Sequence, residues 1–428
     1  MIARARSFQS PAGPTVDVAA PLVVLFAISV VALPKAGVLV GGDVPIYASV
    51  IVGQIVSAVG WLLAVRHFGW SVEKIGLALI LVASVIWLGH VLSEASGGVQ
   101  ARRAARLFFL FLPLTGLGVY YFMKWIRIDD EFLHRSILFA FYFLIAYSLL
   151  QLLFGADQVA IQYVTANYVD EFDEIITRSN VIHRLGGETY KLFSTYQNGN
   201  LFSIALIILF PIVFSLEKNI YLRYVSFIFL HIVVLYSAST TSYISLLIID
   251  LLFVLFFARR YLVAVIIVAL VLFSLVLALS LACDSGECGV VDLLSAKLFE
   301  RDLTDNMRWL KTDMWLSRMS DNIAIVFIGE MSNRSIMPVY EVLPFSIAQY
   351  YGIFVLVGFY AFIIAALGPW KLRLYKVGLV AYLVTSFGSG GFWLTPTPYL
   401  IGFSLGLVAR LDRSRHPVRV ASTGSSFA

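Results

Sequence analysis

The chain has 428 residues, a formal net charge of +5, 60% apolar residues and only 13% charged ones. Its mean hydropathy is +0.87, whereas a soluble globular domain carries about 25% charged residues. These values exclude an ordinary soluble enzyme and put the chain in the membrane class. The modest positive charge carries no nucleic-acid signal.

A bilayer span needs roughly 20 apolar residues, and on that template the sequence predicts about 12 spans. In chain order they fall at 19–34, 46–65, 75–92, 107–124, 136–154, 199–216, 221–238, 240–258, 261–282, 339–367, 374–390 and 396–410. The expected fold is an all-α polytopic membrane protein forming one integral domain over residues 1–428. The first apolar run lacks a small-x-small exit and reads as a retained span rather than a cleaved signal. The triplet Asp129–Asp130–Glu131, beside Lys124 and Arg127, reads as a self-neutralising interfacial turn. Residues 339–367 leave room for an amphipathic lead-in helix before their span. The tail from about 412 to 428 is basic, then rich in Ser, Gly and Ala, and is expected to be disordered. No repeat of solenoid period is visible, nor an inverted pair of broken helices of the kind transporters use.

Lys and Arg placement predicts the orientation. Of 31 such residues, 18 fall on one side, from Arg4 and Arg6 through Lys124, Lys218 and Arg259 to Arg410 and Arg419. The short loops of the other side hold only Lys35, Arg102, Arg103 and Arg106. Both termini are therefore expected in the cytoplasm.

Two long polar segments, about 155–198 and 283–338, then lie outside. Structureless connections beyond about 15 residues are uncommon unless functional. Within the first, Asp170–Ile182 reads as a short amphipathic surface helix. The second is helical in pattern from Leu293 to Met319 and sets Arg301, Arg308, Trp315 and Arg318 near one face. Guanidinium forks among aromatics suit a substrate that is part sugar and part phosphate. A solvated basic face with Trp309 and Trp315 as interface anchors is the structural alternative. The only cysteines, Cys283 and Cys288, open the second segment. They are placed to close a small disulfide loop in an oxidising compartment, with two free thiols as the alternative.

The order of features over roughly 190–410 resembles the O-antigen ligase and polymerase superfamily, in particular the Wzy-type bacterial polysaccharide polymerases. Tyr196–Gln197–Asn198–Gly199–Asn200 is similar to that family's aromatic-x-Asn-Pro-Asn motif, with Gly199 in place of Pro. Ser237–Ala238–Ser239–Thr240–Thr241–Ser242 occupies the external hairpin where the family carries a Ser-Arg pair, and here the Arg is missing. Arg308–Trp309, Trp315 and Gly329 resemble the family's Arg…Trp…Gly run, and Arg318 and Gly329 match an Arg-x10-Gly spacing. Family ligases carry a His eleven residues before the Gly of the late span. Counting back from Gly352 gives Glu341 here, which favours the polymerase over the ligase.

The resemblance implies a GT-C-like fold with its site at the external face of the bacterial inner membrane, and no nucleotide sugar, metal or other cofactor. It implies transfer of a growing glycan from undecaprenyl pyrophosphate to a lipid-linked repeat, for exopolysaccharide or O-antigen. A repeat-unit flippase and a chain-length regulator are the implied partners. Arg308 and Arg318 are then expected on the pyrophosphate, with Arg301 or Arg184 in support. Glu341 is expected as base or acceptor orienter, with a helix N-terminal acid as its structural alternative. Arg178, Asn198, Asn200 and Trp315 complete the expected substrate contacts. Glu330, Asp313 and Asp321 are alternative carboxylates. A ligase with another acceptor and a transporter are the competing classes. A transporter would depend on the intramembrane residues His90, His231 and Asp250, for which hydrogen bonding between helices is the simpler reading.

Overall fold

The computed structural model describes residues 19–40, 44–69, 71–96, 108, 110–165, 181–184, 187–190, 192–237, 239–257, 313, 315–320, 322–331, 342–368, 373–388 and 391–415. The described residues are mostly helical. Among the described residues, six helices are long and apolar enough to cross a membrane. They are α2 (Ala48–Arg66), α3 (Ser71–Ser96), α5 (Asp130–Phe154), α6 (Gly199–Leu216), α7 (Ile220–Ser237) and α10 (Leu343–Leu367). Shorter apolar helices accompany them. The first is α1 (Ala19–Phe26), continued as a π-helix over Ala27–Ala32. Helices α8 (Thr240–Phe257) and α11 (Arg373–Thr385) follow later in the chain, before the more polar α12 (Thr397–Arg415). The span expected at 261–282 lies outside the described residues.

The most enclosed long helix is α6, with 83% of its apolar window buried. Asn198 starts it by accepting the Leu201 amide at 3.0 Å, one of the donors that a helix start leaves unpaired. Pro211 cannot donate to the Ile207 carbonyl four residues back. The backbone of Gly378 in α11 lies against that same carbonyl, where any β-carbon would collide. A small residue thus lets two helices approach closely at the weak point in the ladder.

Three predicted helical elements differ from the sequence reading. The run 107–124 is not one helix: residues 110–115 are helical, Gly116 and Leu117 turn, and α4 (Gly118–Trp125) follows. Long-range side chains serve the carbonyls at the break. The Gln54 amide donates to Leu112 at 3.3 Å, the Trp61 indole to Thr115 at 3.2 Å and the Tyr351 hydroxyl to Leu110 at 2.8 Å. Broken backbone inside a bundle survives only where protein groups satisfy it. The predicted surface helix does not reach Ile182. Val181–Arg184 (β3) pairs antiparallel with Gly187–Tyr190 (β4), while residues 166–180 lie outside the description. A second hairpin joins Gly37–Val40 (β1) to Val44–Tyr47 (β2).

The third difference is the lead-in to the 339–367 span. It is not amphipathic, because Leu343, Pro344 and every residue from Ser346 to Gly352 is buried. It breaks at Gly352 (φ 79°, ψ 177°), a backbone region open essentially to glycine alone.

The Asp129–Glu131 triplet caps α5 rather than forming a self-contained turn. Asp129 accepts the Phe132 amide at 2.9 Å, Asp130 takes the Arg410 guanidinium at 2.7 Å, and Glu131 pairs with Arg135 at 2.7 Å. Lys124, expected beside the triplet, binds Glu73 instead at 2.8 Å.

Candidate functional site

One end of the bundle gathers the start of α6, the turn between α7 and α8, the end of α11 and the broken start of α10. Small hydroxyls line the seam between these helices. Ser203 meets Ser242, Ser245 meets Thr385 at 2.7 Å, and the Trp393 indole donates to Ser346 at 2.6 Å. Of the Ser-rich turn, Ser242 thus makes a helix-to-helix contact, and the Ser237 hydroxyl bonds back to the Val234 carbonyl at 2.8 Å.

The segment before α6 is built to hold one shape. The Leu192 amide donates to Tyr236 at 3.0 Å, tying the segment to the end of α7. Ser194 sits at φ 51°, a left-handed conformation rare for serine. Gln151 holds it there: its carbonyl accepts the Ser194 amide at 2.7 Å and its amide donates to the Ser194 carbonyl at 2.9 Å. Thr195 then donates to Ala32 at 2.6 Å and the Tyr196 hydroxyl to Val31 at 2.9 Å. Tyr196 is wholly buried, whereas Gln197 and Asn200 are exposed. Backbone strain held by several converging bonds is a property of working sites. Nothing in the local sequence announces Gln151 except that it is an amide inside an apolar span.

The second polar segment returns to the same end. Residues 315–320 are helical, with Trp315 buried at 3% exposure and Arg318 partly buried. Trp315 stacks at a tilt on Phe345, centroids 5.6 Å apart, and its enclosed indole nitrogen has no hydrogen-bond partner among the described residues. A short helix, α9 (Ala324–Ile328), leads to Gly329 (φ 71°). Gly329 and Gly352 interlock. A β-carbon on Gly329 would strike the backbone of Tyr350 and Tyr351, and one on Gly352 would strike Phe327 and Ile328. The Glu330 amide donates to the Gln349 carbonyl at 2.6 Å, closing the joint. The Gly329 of the Arg-x10-Gly spacing therefore has a physical reason: no side chain fits between the segment and the kink. Trp393, on the hairpin between α11 and α12, adds a ring beside Tyr350 (5.2 Å, edge-on) and Tyr351 (6.4 Å, stacked).

The predicted site residues divide clearly. Trp315 and Arg318 lie on the helical piece just described, and Asn198 and Asn200 open α6. Arg184 lies on β3, opposite Gly187. Arg301, Arg308, Glu341 and Arg178 lie outside the described residues, as do Asp321, Cys283 and Cys288. Of the alternative carboxylates, Asp313 is exposed and Glu330 is half-buried at the glycine joint.

The intramembrane polar groups pair with neighbouring helices. His231 meets Asp250 at 3.2 Å between α7 and α8, and His90 reaches the Ile328 carbonyl at 3.3 Å. Among the described residues no cluster of His, Cys, Asp and Glu has the geometry of a metal site.

Sequence reasoning missed one group altogether. Lys35 reads as an ordinary loop cation, yet it is 3% exposed, with its ammonium 5.4 Å from the centre of the Phe193 ring. Burial pushes its pKa down to about 8. A lone cation in a short, mostly apolar loop, with Asp43 its one other charged residue, was the available signal.

No family model matches the chain, and no curated protein matches it.

Proposed function

We propose that this protein is a membrane-embedded polysaccharide polymerase, an inverting and metal-independent glycosyltransferase acting on undecaprenyl-pyrophosphate-linked glycan. It would work at the periplasmic face of a bacterial inner membrane, with both termini in the cytoplasm, in exopolysaccharide or O-antigen synthesis. The hydroxyl oxygen of the acceptor's terminal sugar attacks the donor's anomeric carbon. The bond from that carbon to the phosphate oxygen breaks, and the electron pair leaves on the diphosphate. Because diphosphate leaves readily at neutral pH, the protein needs to supply positive charge, orientation and a base for the hydroxyl proton. Arg318 and Arg308 are assigned to the diphosphate, with Arg301 and Arg184 in support. Glu341 is assigned to the hydroxyl proton.

The observation that carries this reading is the anchoring of both polar segments at one end of the bundle. The first is tied by Leu192 to Tyr236 and the second by Glu330 to Gln349. Loops that only connected spans would not need such joints. Among the described residues the enclosed indole nitrogen of Trp315 is a donor with no acceptor, three residues before Arg318 on the same helical piece and 5.6 Å from the Phe345 ring. An orphan buried donor calls for an explanation, and a substrate hydroxyl is one. The transporter reading gains nothing from His231 and Asp250, which bond to each other.

The test is product formation in cells carrying Arg308→Ala or Arg318→Ala. Each variant should insert normally and stop polymer synthesis, leaving single lipid-linked repeats. Normal polymer from both would defeat the assignment.

A further inference from the structure

Lys35 is a buried charged group that the proposed reaction leaves unused. The backbone on either side of it is fixed. The Pro34 carbonyl accepts the Ser49 hydroxyl at 2.7 Å, Ala36 donates to Leu33 at 3.0 Å, and Gly37 donates to Tyr163 at 3.1 Å. Tyr163 is itself held at φ 64°. Among the described residues, no carboxylate and no hydrogen bond reaches the Lys35 ammonium, and the Phe193 ring is the partner it has. Phe193 is 2% exposed and immediately precedes the clamped Ser194.

Burying an ammonium without a counter-ion costs several kcal/mol. A cation over a ring recovers only about 0.5–2 kcal/mol. Methionine would fill the same volume at no such cost, so packing does not account for a lysine here. Its lowered pKa of about 8 still leaves it protonated at neutral pH. Among the described residues, what the site lacks is a negative charge.

We propose that Lys35 is an anion-binding residue of this same site, receiving a phosphate oxygen from the diphosphate of the lipid-linked donor. The assignment rests on the proposed function and deepens it, adding a cation from the first external loop to the arginines of the second long segment. Anion binding would restore the missing counter-charge and form a charge-assisted hydrogen bond.

The full chain in phosphatidylcholine nanodiscs, titrated with farnesyl diphosphate, provides the test. Lys35→Met should melt at or above the wild-type temperature without the probe. It should bind the probe about tenfold more weakly or worse, the usual loss for a hydrogen bond to a charged group. Lys35→Arg should retain part of the binding. Wild-type affinity in Lys35→Met would overturn the inference and leave the polymerase reading standing. A wild type that melts normally yet ignores farnesyl diphosphate would overturn both.

A second series in nanodiscs containing phosphatidylglycerol separates donor from headgroup. A Lys35→Met effect that appears only with the anionic lipid, and not with the probe, would transfer the site to a headgroup phosphate and overturn the donor assignment. Should Lys35→Met fail to fold, Lys35→Gln is read by the same criteria. Failure of both to fold would give the residue a structural role and overturn the proposal.

Discussion

The two ends of the helix bundle treat charge in opposite ways. At the end holding Glu73, buried charges are matched. Lys124 binds Glu73 at 2.8 Å, and the Trp125 indole adds a third group at 3.2 Å. Arg410 takes Asp130 at 2.7 Å together with the Ile126 carbonyl at 2.6 Å. At the end holding Asn198, Lys35 is buried without a carboxylate and the Trp315 indole has no acceptor among the described residues, and Tyr163 and Ser194 hold left-handed backbone. Matched charges hold helices in register. Unmatched ones, kept despite their cost, fit the end at which the proposed site would meet its substrate.

That contrast predicts which substitutions cost stability and which cost activity. The largest stability effect should come from Gly352→Ala. It forces a β-carbon into the backbone of α9 at a positive φ, and is expected to cost about 4 kcal/mol or more. Thermal melting of detergent-solubilised protein measures it, and a melting point near wild type would remove the interlock from the account.

Glu73→Ala should follow, at about 3–5 kcal/mol, because it strands the Lys124 ammonium. It should act by lowering the melting temperature, with product per folded molecule unchanged. Gln151→Leu removes two hydrogen bonds to the Ser194 backbone and should cost about 2–3 kcal/mol. Unlike Glu73→Ala, it should also lower product per folded molecule, since it releases the segment before α6. Equal specific activity in both variants would erase the distinction between the two ends.

Lys35 makes a pH prediction with a definite sign. Its folded pKa, about 8, lies below the 10.5 of an exposed lysine. Between those values the unfolded chain binds more protons than the folded one, so stability rises with pH. The cost of burying the charge is fully present below pH 8 and relieved towards pH 10.5. The stability advantage of Lys35→Met over wild type should therefore shrink as pH rises through that window, as read from paired melts. An advantage that grows instead would contradict the buried-cation description. The smallest effect is expected from Ser245→Ala, which loses one interhelical hydrogen bond to Thr385, about 1 kcal/mol.

Much of the scaffold was legible from local pattern. The helices at 199–216, 220–237 and 240–257 agree with the apolar runs within a residue, because flanking polar turns bound each run. The break at Gly116 was not legible. Its cause lies in Gln54, Trp61 and Tyr351, residues remote in sequence that reach the freed carbonyls. The kink at Gly352 hides for a similar reason: a continuous apolar stretch looks the same whether straight or wedged apart by Gly329. Of the expected site, Trp315, Arg318 and the Asn198 cap occupy the end of the bundle that the two polar segments share. Lys35 escaped notice because its burial is created by Phe193, more than a hundred residues later, and short-range sequence carries no trace of that contact.

The central claim is most directly tested by mass spectrometry of lipid-linked saccharides from a strain lacking this gene. The account predicts that single repeat units accumulate on undecaprenyl pyrophosphate and that the wild-type chain clears them. Long lipid-linked chains in the deletion strain, or a lipid-linked pool unchanged by the deletion, would contradict it.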